Sequence, residues 1–307
     1  MSQTKKVLLV GATGALGRLI AQALLSRSEI ALHVLVRPQS RGKVASLEAA
    51  GATIHEGELG DAAQAPAIDR AVAGAFSVVS AVLGGPAMII DAQLALLRAA
   101  LRAGVRRFIP SDYSFNLFAV PEGANINSDW RRAFARQARD EQAGAAPTIQ
   151  IVHVLSGCFL DHGVLFGFLG AIDPAAGKAF LWGEGKHAMD FTTMADTAAF
   201  TAEAATDERE VPDHFNVAGD TLDFHGLVAA YQCGTGQTLD IEYLGTLDDL
   251  AAEIERGQRD SNVPRFLPLM YYRAMLDGTA KLGPLINHRY PHIRPTTVEE
   301  YLRRERR

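Results

Sequence analysis

Few folds accommodate a glycine loop set between a fully apolar strand and an amphipathic helix, and this chain opens on that arrangement. Residues 7–10 read Val-Leu-Leu-Val, a continuous apolar run of the kind buried on both faces of a parallel sheet. They lead directly into Gly11-Ala-Thr-Gly14-Ala-Leu-Gly17, and residues 18–26 then carry Leu19, Ile20, Ala23 and Leu24 at helical spacing. Each glycine has its own reason in such a context. Gly11 permits the sharp turn, Gly14 lets backbone N–H groups approach a pyrophosphate, and Gly17 lets the helix pack close to the sheet. The helix N-terminus adds partial positive charge for the diphosphate. The loop predicts a dinucleotide-binding half of Rossmann type.

The segments behind the loop repeat the strand–helix alternation of a doubly wound α/β sheet. Strands are expected at residues 31–36, 53–56, 76–83, 105–110 and 148–155. Helices are expected at 41–50, 65–73, 89–103 and 129–142, the last two stopped at Gly104 and near Gly144. From residue 156 the alternation fails. Residues 180–186 read there as a short strand and turn, 190–205 as a helix and 215–217 as a returning strand. Residues 222–233, 247–256 and 298–304 read as helices of a smaller lobe. The expected organisation is a Rossmann domain over 1–155 and a smaller substrate-binding lobe over 156–307, with a return to the sheet near 210–220.

The end of the second strand bears on which dinucleotide is bound. An NAD site usually places Asp or Glu there, to accept from the ribose 2′-OH. Here the strand ends Val34-Leu-Val-Arg37-Pro38, followed by Arg41 and Lys43. A guanidinium can grip a 2′-phosphate through paired N–H groups, so NADP(H) is expected in preference to NAD(H). With 30 Lys+Arg against 35 Asp+Glu the chain has no basic excess, which argues against a nucleic-acid partner. Two cysteines, Cys158 and Cys233, stand far apart without metal spacing. The run from 75 to 90 is broken by Gly84, Gly85 and Pro86, short of a membrane helix. Residues 7–10 are too short for a signal-peptide core, and a cytoplasmic protein is expected.

By these residues the chain resembles the NmrA-like and isoflavone-reductase-like family of atypical short-chain dehydrogenase/reductases. The resemblance rests on the glycine loop, the strand ending at Arg37, and Gly57-Glu-Leu-Gly-Asp61. It continues in Val105-Arg-Arg-Phe-Ile-Pro-Ser-Asp-Tyr113, Ser156-Gly-Cys-Phe159 and Tyr290-Pro-His-Ile-Arg-Pro-Thr-Thr-Val-Glu-Glu-Tyr-Leu302. It implies NADPH held by the Rossmann domain, with Gly11, Thr13, Gly14, Ala15, Leu16, Gly17, Arg37 and Lys43 at the adenosine and phosphate end. Ala81, Val82 and Leu83 should lie along the cofactor, and Ser156, Cys158 and Phe159 near the nicotinamide.

The resemblance also implies a catalytic lysine on the helix after the fifth strand. Residues 129–142 carry Arg131, Arg132, Arg136 and Arg139 there and no lysine. An arginine stays protonated to about pH 12, so it can stabilise an oxyanion but hardly deliver a proton. Arg132 and Arg136 lie one turn apart and are the expected pair, with Tyr113 as an alternative that reads either as a proton donor or as cleft wall. His288 and His292 are four apart, but Pro291 argues against a helical metal pair, and no metal is expected. Cys158 reads as a packing residue or a redox thiol, and His162 as a further candidate near the cleft. The reading is an NADP(H)-dependent oxidoreductase reducing a small apolar substrate, aromatic, carbonyl or quinone-like. The rival is an NADP(H)-binding redox-sensing regulator with a protein partner and no turnover.

Overall fold

The structure, a computed structural model, describes residues 4–143 and 148–305. Its chain divides between two compact units. The first comprises Met1–Tyr113, Trp130–Val154 and Thr197–Phe215, and the second Ser114–Asp129, Leu155–Asp196 and Asn216–Arg307. The expected helix stop at Gly144 lies outside the described residues.

The first unit is built on a six-stranded sheet, interleaved with helices. In chain order these are β1 (Lys5–Val10), α1 (Ala15–Leu25), β2 (Ile30–Val36), α2 (Ala45–Ala49), β3 (Thr53–Glu56) and α3 (Ala65–Val72). There follow β4 (Ser77–Ser80), α4 (Gln93–Arg102), β5 (Arg107–Ile109), α5 (Ile126–Gln142, which enters this unit at Trp130) and β6 (Gln150–Ile151). The spatial order is β3-β2-β1-β4-β5-β6, and every neighbouring pair is parallel. This is the doubly wound α/β arrangement, reversing direction between β1 and β4, where such sheets bind ligands. Val7, Leu8, Leu9, Val78 and Val79 are fully buried, as central parallel strands require. Leu8, Val10, Val78 and Phe108 pack with Leu96, Leu97 and Phe134 in the core of one face.

Several boundaries differ from the sequence reading. The expected helix at 41–50 starts as a 3₁₀ segment, Pro38–Val44, and a π-helical turn, Ala87–Ala92, precedes α4. The expected strand at 148–155 breaks at residue 152. Gln150 and Ile151 stay in the sheet, whereas His153 N–H donates to the Asp213 carbonyl of the returning segment. Residues 114–129, expected in the Rossmann half, belong to the second unit. Phe115 and Val120 join that unit's core, and Asn116 N–H donates to the Ala280 carbonyl.

The second unit holds short sheets and helices around Phe191, Phe224, Leu250 and Val298. The expected helix at 190–205 begins instead as a strand, Met189–Thr193, and becomes helical only over Met194–Thr206. Buried Phe191 pairs there with Cys158 on one side and Asp220 on the other, and the buried, β-branched Thr192 and Thr193 pair with Phe159 and Leu160. The helix Val263–Leu276 was not read from the sequence, because Pro264 and Pro268 signal a break. Among the described residues no helix is long and apolar enough to cross a membrane.

One histidine pair should make the first unit acid-sensitive. His33 on β2 and His55 on β3 meet ring nitrogen to ring nitrogen at 2.8 Å with stacked rings. Burial first, then the Lys6 charge and His55, pushes His33 down to about 4. The unfolded chain, with an ordinary histidine, therefore binds more protons between about pH 6.5 and 4, and stability falls as pH drops through that window. Urea midpoints at pH 7 and pH 5 should show this decline, and His33→Gln should flatten it. An unchanged pH slope in that variant would refute the assignment.

Candidate functional site

The glycine loop joins β1 to α1 at the reversal point of the sheet. Gly11 has φ +91°, and a Cβ added there would lie 2.2 Å from the Ala81 carbonyl oxygen. A Cβ on Gly17 would lie 2.1 Å from the Gly11 carbonyl oxygen. Both glycines are thus demanded by the protein's own packing. Gly14 differs: it is the extended N-cap of α1, and a Cβ there would meet nothing nearer than 3.5 Å. The fold does not need glycine at this position, and the open space next to the helix N-terminus suits a bound phosphate. No acidic side chain in the first turn of α1 opposes an anion.

A cavity of about 290 Å³ opens on the loop, at the lower end of the range for ligand pockets. Gly11, Thr13 and Gly14 line it, with Arg37 and Ser40 from the end of β2 and Ala81, Val82 and Leu83 from the end of β4. The fold therefore brings together three of the sequence-predicted groups. Arg37 is exposed at the rim and Ser40 is buried. Lys43 is exposed and does not line the cavity. Arg41 is held by both carboxylate oxygens of Glu48, at 2.5 and 2.6 Å. Ala15, Leu16 and Gly17 start the helix without lining the cavity.

Among the lining residues that the sequence analysis does not name as site residues are Ser40, Glu58 and Met88. Glu58 had a signal, since it follows Gly57 directly after β3. Ser40 and Met88 had none beyond their distance along the chain from the strand ends.

The remaining candidates are placed elsewhere. In the second unit, the Ser156 carbonyl accepts from Thr192 Oγ1 at 2.5 Å. Gly157 has φ +69°, and an added Cβ would lie 2.2 Å from the Asp190 carbonyl oxygen. Burial pushes the Cys158 thiol up to about 12, which makes it a poor nucleophile. Phe159 is half-buried, and His162 is exposed with its ring edge-on to Phe166. In the first unit, Tyr113 is 8% exposed, and its phenol is shifted up by burial and then by the neighbouring Asp112 charge. Arg136 is exposed and Arg132 half-buried, and neither lines the cavity. Arg131, set aside in the sequence reading, is the buried arginine of α5. The reason is helix phase: Arg131, Phe134 and Ala138 share the face packed against the sheet. Among the described residues no group of three or more His, Cys, Asp or Glu could hold a metal ion.

The chain matches the model of the NmrA-like family over residues 3–302. It is 29% identical to an isoflavone reductase homolog from Zea mays, over 99% of both chains. It is 26% identical to a phenylcoumaran benzylic ether reductase from Pinus taeda, over 98% of this chain and 99% of that one. Among solved structures it resembles AtPrR2 with NADP+ and (+)pinoresinol, with a TM-score of 0.80, 26% identity and 99% of both chains covered. An isoflavone reductase crystal structure matches with a TM-score of 0.81 at 22% identity, over 99% of this chain and 100% of that one.

Proposed function

The chain belongs to the NmrA-like family, and on that premise we propose that it is an NADP(H)-dependent reductase of a small, largely apolar, aromatic, carbonyl or quinone-like substrate. The observation that carries this reading is the cavity at the reversal point of the sheet, with Gly14 open beside the start of α1 and Arg37 at its rim. The loop and the α1 N-terminus hold the diphosphate. Arg37 pairs with the 2′-phosphate, and the buried Ser40 hydroxyl adds a donor on the same side. Glu58 is a pure acceptor and suits an amino group of the adenine better than a phosphate. When bound, NADPH supplies a hydride to the substrate. The aromatic class is favoured by the relatives, which are named for isoflavone and phenylcoumaran reduction. Of the candidates for stabilising a developing oxyanion, we keep Arg132 first. Arg136 faces solvent, and the Tyr113 phenol is held protonated too firmly to make a ready acid.

The test is an NADPH-oxidation screen against aldehydes, quinones and aromatic enones, with NADH alongside. At least one class should be reduced, with NADPH preferred. Losing a charge-assisted hydrogen bond of about 1.5–3 kcal/mol, Arg37→Ala should bind NADPH about one to two decades more weakly and NADH unchanged. Equal affinity of the wild-type protein for both cofactors would remove the NADP assignment. Tight NADPH binding with no acceptor reduced would replace the reductase by the redox-sensing regulator, a reading favoured by the absence of lysine from α5.

A further inference from the structure

Behind the cavity wall, within the first unit, runs a buried polar relay that the cofactor reading does not use. Arg131 on α5 is 9% exposed, and its Nε–H donates to the Ser111 carbonyl at 3.0 Å. The Ser111 hydroxyl donates to the Val82 carbonyl at 2.6 Å. The Ser111 N–H donates to Gln93 Oε1 at 2.8 Å, and Gln93 Nε2 donates to the Ile89 carbonyl at 2.7 Å. Ser111 and Gln93 are both buried. The relay thus links two helices, the end of β5 and Val82, which lines the cavity.

Burying a guanidinium and an amide is costly, and apolar side chains of similar volume would join these elements without that penalty. What the relay does, and apolar packing cannot, is fix the direction of a peptide plane. The peptide after Val82 is planar and trans, so a Val82 carbonyl held toward Ser111 turns the Leu83 N–H the opposite way, away from the relay. Leu83 itself lines the cavity and is 89% exposed. The sheet order says which part of a dinucleotide meets it. Arg37 ends β2, the glycine loop ends β1, and Leu83 follows β4, and these strands are consecutive neighbours. A cofactor with its 2′-phosphate at Arg37 and its diphosphate at Gly14 therefore brings its nicotinamide–ribose half to Leu83.

We propose that Arg131 is a positioning residue: acting through Ser111, it holds the 82–83 peptide so that the Leu83 N–H donates to the nicotinamide–ribose half of the cofactor. This rests on the dinucleotide reading above, and the experiment separates the two. Dissociation constants are measured calorimetrically for NADPH and for adenosine 2′,5′-bisphosphate, which carries only the adenosine half, with thermal unfolding as the check on folding. Ser111→Ala should weaken NADPH about tenfold, the equivalent of one ordinary hydrogen bond, while adenosine 2′,5′-bisphosphate stays within about twofold. Ser111→Thr, which keeps the hydroxyl, should restore NADPH affinity, and Arg131→Gln should behave as Ser111→Ala does. Should Arg131→Gln not fold, the two Ser111 variants decide. Unchanged NADPH affinity in folded Ser111→Ala overturns the proposal. So does an equal loss for both ligands, which would mark the relay as merely structural. A wild-type protein that binds neither ligand overturns the dinucleotide reading itself.

Discussion

Gly14→Val should bind NADPH at least about a hundredfold more weakly than the wild-type protein and still fold. The two halves of this expectation come from the same geometry. Gly14 has φ −79° and ψ 167°, a region any L-residue adopts, so valine introduces no backbone strain. Its Cβ would meet only the Gly11 carbonyl oxygen, at an ordinary 3.5 Å. The added methyl groups instead enter the space in front of the α1 N-terminus, where a diphosphate would receive its backbone hydrogen bonds. Losing several of those contacts together costs about 3 kcal/mol or more, hence the hundredfold. Gly11→Ala and Gly17→Ala should behave oppositely and fail to fold well, since each forces a Cβ to within 2.2 Å of a backbone oxygen. Calorimetric titration with thermal unfolding checks both. A folded Gly14→Val protein with wild-type affinity would sink the phosphate-loop assignment.

Arg107→Ala should destabilise the first unit by about 3–5 kcal/mol, because several buried acceptors lose their donor at once and each unsatisfied one costs about 1–3 kcal/mol. Arg107, on β5, is fully buried. Its Nε and Nη2 both donate to Gln150 Oε1, at 2.9 and 2.8 Å, which ties β5 to β6. Its remaining N–H groups donate to the carbonyls of Ala204 at 2.5 Å, Asp207 at 2.8 Å and Arg209 at 3.0 Å. These carbonyls cluster at the end of the helix Met194–Thr206, where backbone acceptors lack intrahelical partners and a cation is favoured. Alanine strands the acceptors without water to replace the guanidinium. Arg107→Lys restores the charge but offers three N–H donors on a single nitrogen in place of five in a planar fork, so it should recover part of the loss. Urea unfolding measures both variants, and a loss below about 1 kcal/mol for alanine would show that the network relaxes around the gap.

What could be read in advance follows from where tertiary context intrudes. The apolar run before Gly11, the loop and the Arg37 strand end were legible because each rests on local chemistry. The inward face of α5 was not. Its arginines were paired by mutual spacing, whereas the phase of α5 is set by Phe134 and Ala138, and those place Arg131 inside. The signal was present in the apolar residues rather than in the charges. Residues 189–193 misled differently: their threonines continue into a helical stretch, and only pairing with 158–160 and 220–222 makes them a strand. Segment 114–129 carries no periodicity that announces its allegiance. Nothing in the Arg106-Arg107 pair distinguishes its members in sequence, although Arg106 is exposed and Arg107 fully buried.

The chain passes between its two units at residues 113/114, 129/130, 154/155, 196/197 and 215/216. Neither unit is therefore a cassette. A fragment ending at residue 155 would carry the phosphate loop but lose Thr197–Phe215, and with it all three carbonyls that Arg107 caps. Recombination at any single crossover would leave at least one half with its core open. Change in such a scaffold then proceeds by replacing side chains in place rather than by trading whole modules.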